Sequence, residues 1–346
     1  MWSVSARDLQ WRRRRFVLAV VSASLVFSLT LVLDGLMAHI QDEASSVVDR
    51  FGATGWVVAD GPAGPFTATK LLPSSAVDEV RSVPGVERAD AMVAARETVH
   101  DTWINVVGYS RGGLGAPRTV TSGRLPTGGG EVLADELLGV PVGGSVMLGG
   151  QRFRVTGTAA GLSYNFGAPT VMLPIAEVQR AYFGGQPLVG AVAVRGPMRS
   201  APRGLQVMSN AQVTSDLRVG MQSALQTIGI LNALLWVIAA AIIASIVYLS
   251  ALERVRDFAV MKAIGVSNRS ILAGLACASL LLAVLAGIGA TLLALVLGPS
   301  FPMPVDTPPS SYLTLLVVAL VVGVIASLAG FRRAARVDPA LAFGGA

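Results

Sequence analysis

Residues 228–252 read IGILNALLWVIAAAIIASIVYLSAL, a run without a single charged side chain. A hydrocarbon core is crossed by roughly 20 apolar residues in a helix, so this stretch is long enough to span a bilayer. On its C-terminal side two more such runs follow closely, at residues 271–297 and 312–331. On its N-terminal side about 190 mostly polar residues intervene before the fourth run, FVLAVVSASLVFSLTLVL at residues 16–33. One span, a large domain, then three spans is an uncommon order. It predicts an α-helical membrane protein with four transmembrane helices and an α+β extracytoplasmic domain between helices 1 and 2. The composition, 53% hydrophobic and 14% charged, is what four such runs require.

The placement of the bases orients the chain. Arg12, Arg13, Arg14 and Arg15 abut the first run; Arg254, Arg256, Lys262 and Arg269 fill the connection after the second; Arg332, Arg333 and Arg336 follow the fourth. Excess Lys and Arg beside spans marks the cytoplasmic side. Both termini are therefore expected in the cytoplasm of a cell (inner or plasma) membrane protein, as an even number of spans demands. The expected boundaries are a basic cytoplasmic segment at 1–15, the first span at 16–38, the external domain at 39–226 and the second span at 227–252. A cytoplasmic connection at 253–270, the third span at 271–297, a short external loop at 298–311, the fourth span at 312–331 and a cytoplasmic tail at 332–346 complete them. Trp11 with Arg12, Arg13, Arg14 and Arg15 suits a helix lying along the inner membrane interface among lipid headgroups. Because every basic cluster hugs a span, the high pI reads as topology, and no nucleic-acid partner is expected. Read instead as a signal peptide cut after Ala38, the first run would leave three spans and an outside N-terminus. Its length, and the need for the next span to enter from outside, weigh against cleavage.

Cys277 is the only cysteine and lies within the third run, while His39 and His100 are the only histidines. The external domain has no disulfide, and no zinc site is expected. The glycine clusters at Gly112-Gly113 and Gly128-Gly129-Gly130 read as turns. A phosphate loop needs GxxxxGK[ST], and neither Lys70 nor Lys262 follows a glycine. The chain therefore carries no ATPase motif, and neither HExxH nor GxSxG is present. No catalytic, cofactor-binding or metal-binding residue is assigned. Asp135, Glu136 and Glu177 read as a solvated surface.

Within the domain, Gly55–Ala59 and Trp103–Gly108 predict strands, Ser74–Val83 a helix capped by Ser74 or Ser75, and 189–194 a final strand. A short helix is expected from Glu131, then a hairpin turning at Gly149-Gly150, with Met147, Phe153 and Val155 inward and Arg152, Arg154 and Thr156 outward. At the edges of the spans, Asp34 reads as a solvated carboxylate at the outer boundary. Asn232 is a candidate for a hydrogen bond across a dimer. Gly274, Ala278, Gly287, Gly323 and Ser327 are candidate helix-packing positions, weighted toward contacts within the chain.

The connection ERVRDFAVMKAIGVSNR, residues 253–269, has Leu252, Val255, Ala259 and Ala263 on one helical face. Arg254, Phe258 and Met261 fall on the other, where they suit anchors for a partner's groove; a basic interfacial helix that merely fixes topology is the other reading. Gly265 is a helix stop, and Ser267 can cap the third span.

Residues 253–267 resemble the ERxREFAVLKAIGAS signature of FtsX-like permeases, the MacB and DevC type of ABC transporter membrane subunit. Residues 131–157 and 169–178 resemble the MacB-type periplasmic core domain, and RRAARVDPAL at 332–341 resembles the family's C-terminal ending. The chain begins almost directly at its first span, unlike macrolide exporters with a fused ATPase. The resemblance therefore implies a separate ABC ATPase subunit in two copies, which would bind ATP and Mg, and a second permease chain, identical or paralogous. It also implies that the connection is a coupling helix, with Arg254, Arg256, Phe258, Met261, Lys262 and Gly265 as coupling residues. Two functions follow as alternatives. One is ATP-driven export or extraction of a drug, peptide, lipid or lipoprotein, with an extracytoplasmic adaptor or cargo as a further partner. The other is non-transporting control of an external cell-wall hydrolase. A membrane receptor without an ATPase is a third.

Overall fold

The computed structural model describes residues 13–99, 101–198, 200–253, 258, 260–261, 264–301 and 303–335. The chain forms two compact units. One takes the chain up to His39 and from Leu225 onward, and the other is Ile40–Ala224.

In chain order, α1 (Arg13–Arg50) precedes β1 (Gly55–Ala59), β2 (Leu72–Pro73), α2 (Ser75–Arg81), β3 (Arg88–Val99), β4 (Thr102–Tyr109), β5 (Ser122–Gly123) and β6 (Glu131–Asp135). After a 3-10 turn at Glu136–Leu138 come β7 (Ser145–Leu148), β8 (Gln151–Ala159), β9 (Thr170–Pro174), α3 (Ile175–Tyr182), β10 (Leu188–Val189), β11 (Ala191–Arg195) and β12 (Leu205–Ser209). Three long helices follow: α4 (Asn210–Glu253), α5 (Asn268–Leu297) and α6 (Pro309–Ala335).

The α+β unit is built on one mixed sheet in the order β12-β1-β11-β3-β4-β9-β6-β8-β5, with β7 beside β8. β4 with β9 and β6 with β8 run parallel; the other pairs in this sheet are antiparallel. The inner strands GWVVA, TVMLP and AVAVR are rich in β-branched residues and mostly buried, as strands covered on both faces must be. Val57, Val106, Phe153, Val171 and Leu173 form the core with Val80 of α2 and Val178 of α3. Gly108 lets α3 approach β4, since a Cβ there would lie 2.7 Å from Val178.

Two local expectations are corrected. Residues 131–135 form a strand, and the helix expected there shrinks to the 3-10 turn. Its helix-forming letters yield to pairing with β8 and β9 on either side. The hairpin does turn at Gly149-Gly150, both with positive φ (56° and 76°), as a two-residue primed turn requires. That turn sets Val146 opposite Phe153 and Met147 opposite Arg152. Opposed residues share a face, so Val146 is buried and Met147 is 48% exposed, the reverse of the expected assignment.

α1 stays helical to Arg50 and α4 is helical from Asn210, so residues 40–50 and 210–224 are helix inside the α+β unit. Each presents an apolar stripe at helical spacing: Ile40, Ala44, Val47 and Val48 in α1, and Val213, Leu217 and Met221 in α4. Both are fastened locally. Phe51, directly after α1, stacks edge-on against Trp56 and Phe66 at 5.1 and 5.5 Å, and Tyr164 closes the cluster against Phe66 at 5.7 Å. The Trp56 indole N–H donates to the Asn210 side chain (2.9 Å), whose amide donates to the Ala53 carbonyl (2.9 Å). Asp216 of α4 accepts from the Gly64 amide (3.0 Å) and the Thr67 hydroxyl (2.5 Å).

Among the described residues, four helices are long and apolar enough to cross a membrane, one in each of the four expected regions. Their shared core is Phe27 and Leu31 of α1, Ala239 and Ile243 of α4, Ala283, Ala286 and Ala290 of α5, and Ala319 of α6.

Candidate functional site

The connection between α4 and α5 is the candidate site. Arg254, Arg256 and Lys262 lie outside the described residues, as do Trp11 and Arg12; Arg13, Arg14 and Arg15 form the start of α1. Phe258 corrects an expectation. It is 7% exposed and packs with Ala251 and Ile271, and half-buried Met261 and Val266 lean on the same cluster. Neither Phe258 nor Met261 is an outward anchor. Ala251 and Phe258 stand seven apart in the sequence, a spacing that the flanking charges obscured. Among the described residues of the connection, the outward apolar side chains are Val260 (53% exposed) and Ile264 (75%).

The end of the connection is fixed by the backbone. Gly265 adopts φ +89°, the left-handed region that glycine enters without cost. The Val266 amide then donates to the Met261 carbonyl (2.9 Å), the six-to-one bond of a Schellman motif, and both side chains join the Phe258 cluster. Two residues on, Ser267 caps α5 by accepting from the Ser270 amide (3.3 Å). The described residues form a short, internally packed tip that leaves Val260 and Ile264 exposed.

The packing positions divide. A Cβ at Gly287 would lie 3.3 Å from Leu315 of α6, and one at Gly289 would meet Ser24 of α1, so α5 packs closely on both neighbours there. The Ser24 hydroxyl donates to the Ala286 carbonyl (3.1 Å) across the same contact. Gly323 and Ser327 are buried, and the Ser327 hydroxyl donates to the Gly323 carbonyl (2.7 Å) within α6. Gly274 faces open space among the described residues, and nothing is described of the Ala278 side chain. Asn232 donates to Asp34 within the chain. Asp34 is accordingly half-buried and bonded, where a solvated carboxylate was expected. His39 and Asp306 pair at 3.0 Å, and the Thr307 hydroxyl donates to the Leu31 carbonyl (3.1 Å), tying the loop before α6 to α1.

In the α+β unit, Asp135 and Glu177 are buried, correcting their reading as solvated surface. Glu177 accepts from the Gly130 amide (3.1 Å) and pairs with Arg180. Asp135 accepts from the Leu137 amide (3.1 Å), and burial pushes its carboxyl pKa up. Glu97 accepts from the Gly149 amide and the Tyr182 hydroxyl; burial first, then Glu97, pushes the Tyr182 phenol up. The Arg124 guanidinium, with the Gly128 and Thr127 amides, holds the Glu131 carboxyl well below the usual carboxylate range. Each of these carboxylates fastens a neighbouring loop or side chain.

Comparison with known proteins agrees with this architecture. The FtsX-like permease C-terminal model matches residues 229–339, and the MacB-like periplasmic core domain model matches residues 17–202. Two proteins of Mycobacterium tuberculosis (strain ATCC 25618 / H37Rv), each named an uncharacterized ABC transporter permease, are 40% identical over 349 residues, covering 100% of both chains. The crystal structure of the periplasmic region of MacB from Actinobacillus actinomycetemcomitans aligns over 48% of this chain and 94% of that chain, at 13% identity and a TM-score of 0.34. The chain belongs to the FtsX-like family of ABC transporter permeases, with a MacB-like periplasmic core domain between its first two spans.

Proposed function

We propose that this permease transmits ATP hydrolysis, performed with ATP and Mg by two copies of a separate ATPase subunit, to its extracytoplasmic domain. The motion drives export or extraction of a drug, peptide, lipid or lipoprotein. The supporting observation is the pair of helices α1 and α4. Each is a single helix belonging to both units, and each is keyed into the α+β unit by its own fastenings: Phe51 in the aromatic cluster, and Asn210 and Asp216 in hydrogen bonds. A helix rises 1.5 Å per residue with every interior backbone group bonded, so a push at its end is carried along its axis.

At the cytoplasmic tip, Val260 and Ile264 supply apolar contact to the ATPase and Arg254, Arg256 and Lys262 supply charge. Phe258, Met261 and Gly265 hold the shape of the tip. Trp11 and Arg12, Arg13, Arg14 and Arg15 seat the start of α1 at the inner membrane face. A second permease chain completes the assembly.

The test is co-purification of the native ATPase with Ile264→Asp and Val260→Asp permeases, alongside membrane insertion. Loss of the ATPase from correctly inserted variants is expected. Stoichiometric retention with unchanged ATP turnover would sink the docking assignment. If the wild-type complex instead retains a cell-wall hydrolase and moves no cargo, control of that hydrolase replaces transport.

A further inference from the structure

We propose that the groove where β3, β4 and β11 meet the loop after β4 binds an anionic ligand: a phosphate or carboxylate on a body of drug-like size. The α+β unit holds 15 acidic and 15 basic residues, so a strong local excess of one sign needs a reason. The antiparallel ladder sets Arg88 of β3 directly opposite Arg195 of β11, and like charges so placed repel. Arg111 and Arg118, from the loop after β4, line the same groove. The groove encloses about 510 Å³, and its lining includes no carboxylate.

Three carboxylates lie close by, all outside the lining: Glu87 shares a neighbouring groove with Arg195, and Glu131 accepts from the Thr127 amide (2.8 Å) while paired with Arg124. The third, Asp90, 12% exposed at its side chain, accepts from Arg88 Nε (2.6 Å) and from the Leu114 amide (2.9 Å). Arg88 Nη2 also reaches the Gly112 carbonyl, and Arg195 donates to the Gly52 carbonyl (3.0 Å). A guanidinium carries five N–H donors, so both keep donors to spare. Arg111 touches the Gly128 carbonyl only at 3.5 Å, and Arg118 has no ion-pair partner among the described residues.

The loop that carries these two arginines is held in place beforehand. The Gly113 amide donates to Ser110 (2.9 Å), Leu114 to Asp90 and Gly115 to the Phe51 carbonyl (3.0 Å), while Leu114 itself is buried. Arginine forks match phosphate and carboxylate oxygens bidentately, and preorganisation lowers the cost of binding. Tyr109, Pro117, Leu125 and Pro126 give the groove apolar wall, and its volume falls in the range of small-molecule sites. The assignment rests on the α+β unit alone and is independent of ATPase docking.

Full-length permease in nanodiscs of zwitterionic lipid would be titrated calorimetrically with pyrophosphate and with dihexanoyl phosphatidate. Binding of either probe should weaken about tenfold or more in Arg111→Glu/Arg118→Glu, since that loss equals one or two charge-assisted contacts. Arg152→Glu/Arg154→Glu makes the same charge change on the exposed face of β8 and should leave binding within about twofold. Phosphatidate binding tighter than pyrophosphate assigns a lipid headgroup as the source; equal or weaker binding assigns a free anion. Binding of neither probe to the wild type, or equal loss in both double variants, would overturn the site.

Discussion

The two units of this permease are built inside out with respect to each other. In the α+β unit the large apolar side chains are the core: Leu133, Leu148 and Leu173 are fully buried. In the helical unit the core is largely small, with Ala239, Ala283, Ala286, Ala290 and Ala319 all fully buried, while Val296 (73%), Leu295 (67%) and Leu313 (67%) point outward. The solvent accounts for the reversal. In water, association is driven by removing apolar surface. In hydrocarbon that drive vanishes between helices, and cohesion comes from close backbone approach over small residues and from a few hydrogen bonds. An exposed leucine is thus a lipid contact in one unit and an exception in the other.

Four substitutions would break or sharpen this contrast. The largest effect belongs to Trp56→Ala, which empties a fully buried site and leaves Asn210 without its indole donor. About 3–5 kcal/mol of local stability should be lost, read as faster hydrogen exchange of β1 amides in the full-length protein. A change under about 1 kcal/mol would remove the aromatic cluster as an anchor. Next comes Gly289→Leu, where added bulk, and not a cavity, does the damage by driving α5 from Ser24. A loss of about 1–3 kcal/mol is expected in thermal unfolding of the membrane-embedded protein; a neutral outcome would mean that α1 and α5 do not pack closely there.

Asp135→Asn should act in the opposite direction. Its carboxyl pKa is raised on folding because burial disfavours the charge, so its contribution is fully present below the unfolded pKa and declines as pH rises through the folded one. The asparagine variant should therefore show a shallower fall in unfolding free energy from about pH 4 to pH 7, with a gain of order 1 kcal/mol at neutrality. An unchanged pH slope would show that Asp135 does not titrate differently on folding. The smallest effect is expected for Leu295→Ala, within about 0.5 kcal/mol in a bilayer. A loss of several kcal/mol would reveal a protein contact on that face where lipid is assigned.

The four membrane-crossing regions were legible because twenty charge-free residues have few other uses. Their true helical lengths were not. Residues 40–50 and 210–224 carry ordinary polar faces, and hydropathy falls at the membrane edge although the helical stripe of Ile40, Ala44 and Val47 continues. Residues 131–135 were opaque for another reason. EVLAD has no strand signature of its own, and only its two neighbours in the sheet make it one. At the candidate site the stop at Gly265 and the cap at Ser267 could be read from single letters, because backbone geometry selects those letters. The direction of Phe258 could not, since its partners Ala251 and Ile271 lie in two different helices.

The continuity of α4 imposes an arithmetic on how this protein can change length. Its 44 residues extend about 66 Å, more than twice a hydrocarbon core. Deleting one residue between Val213 and Met221 would turn everything beyond it by about 100°, taking the later members of the buried stripe Val213, Leu217 and Met221 off the face that the first one holds. Adding seven would restore the bearing to within about 20° while lengthening the helix by about 10.5 Å. Insertions and deletions here are therefore phase errors unless they arrive in whole heptads.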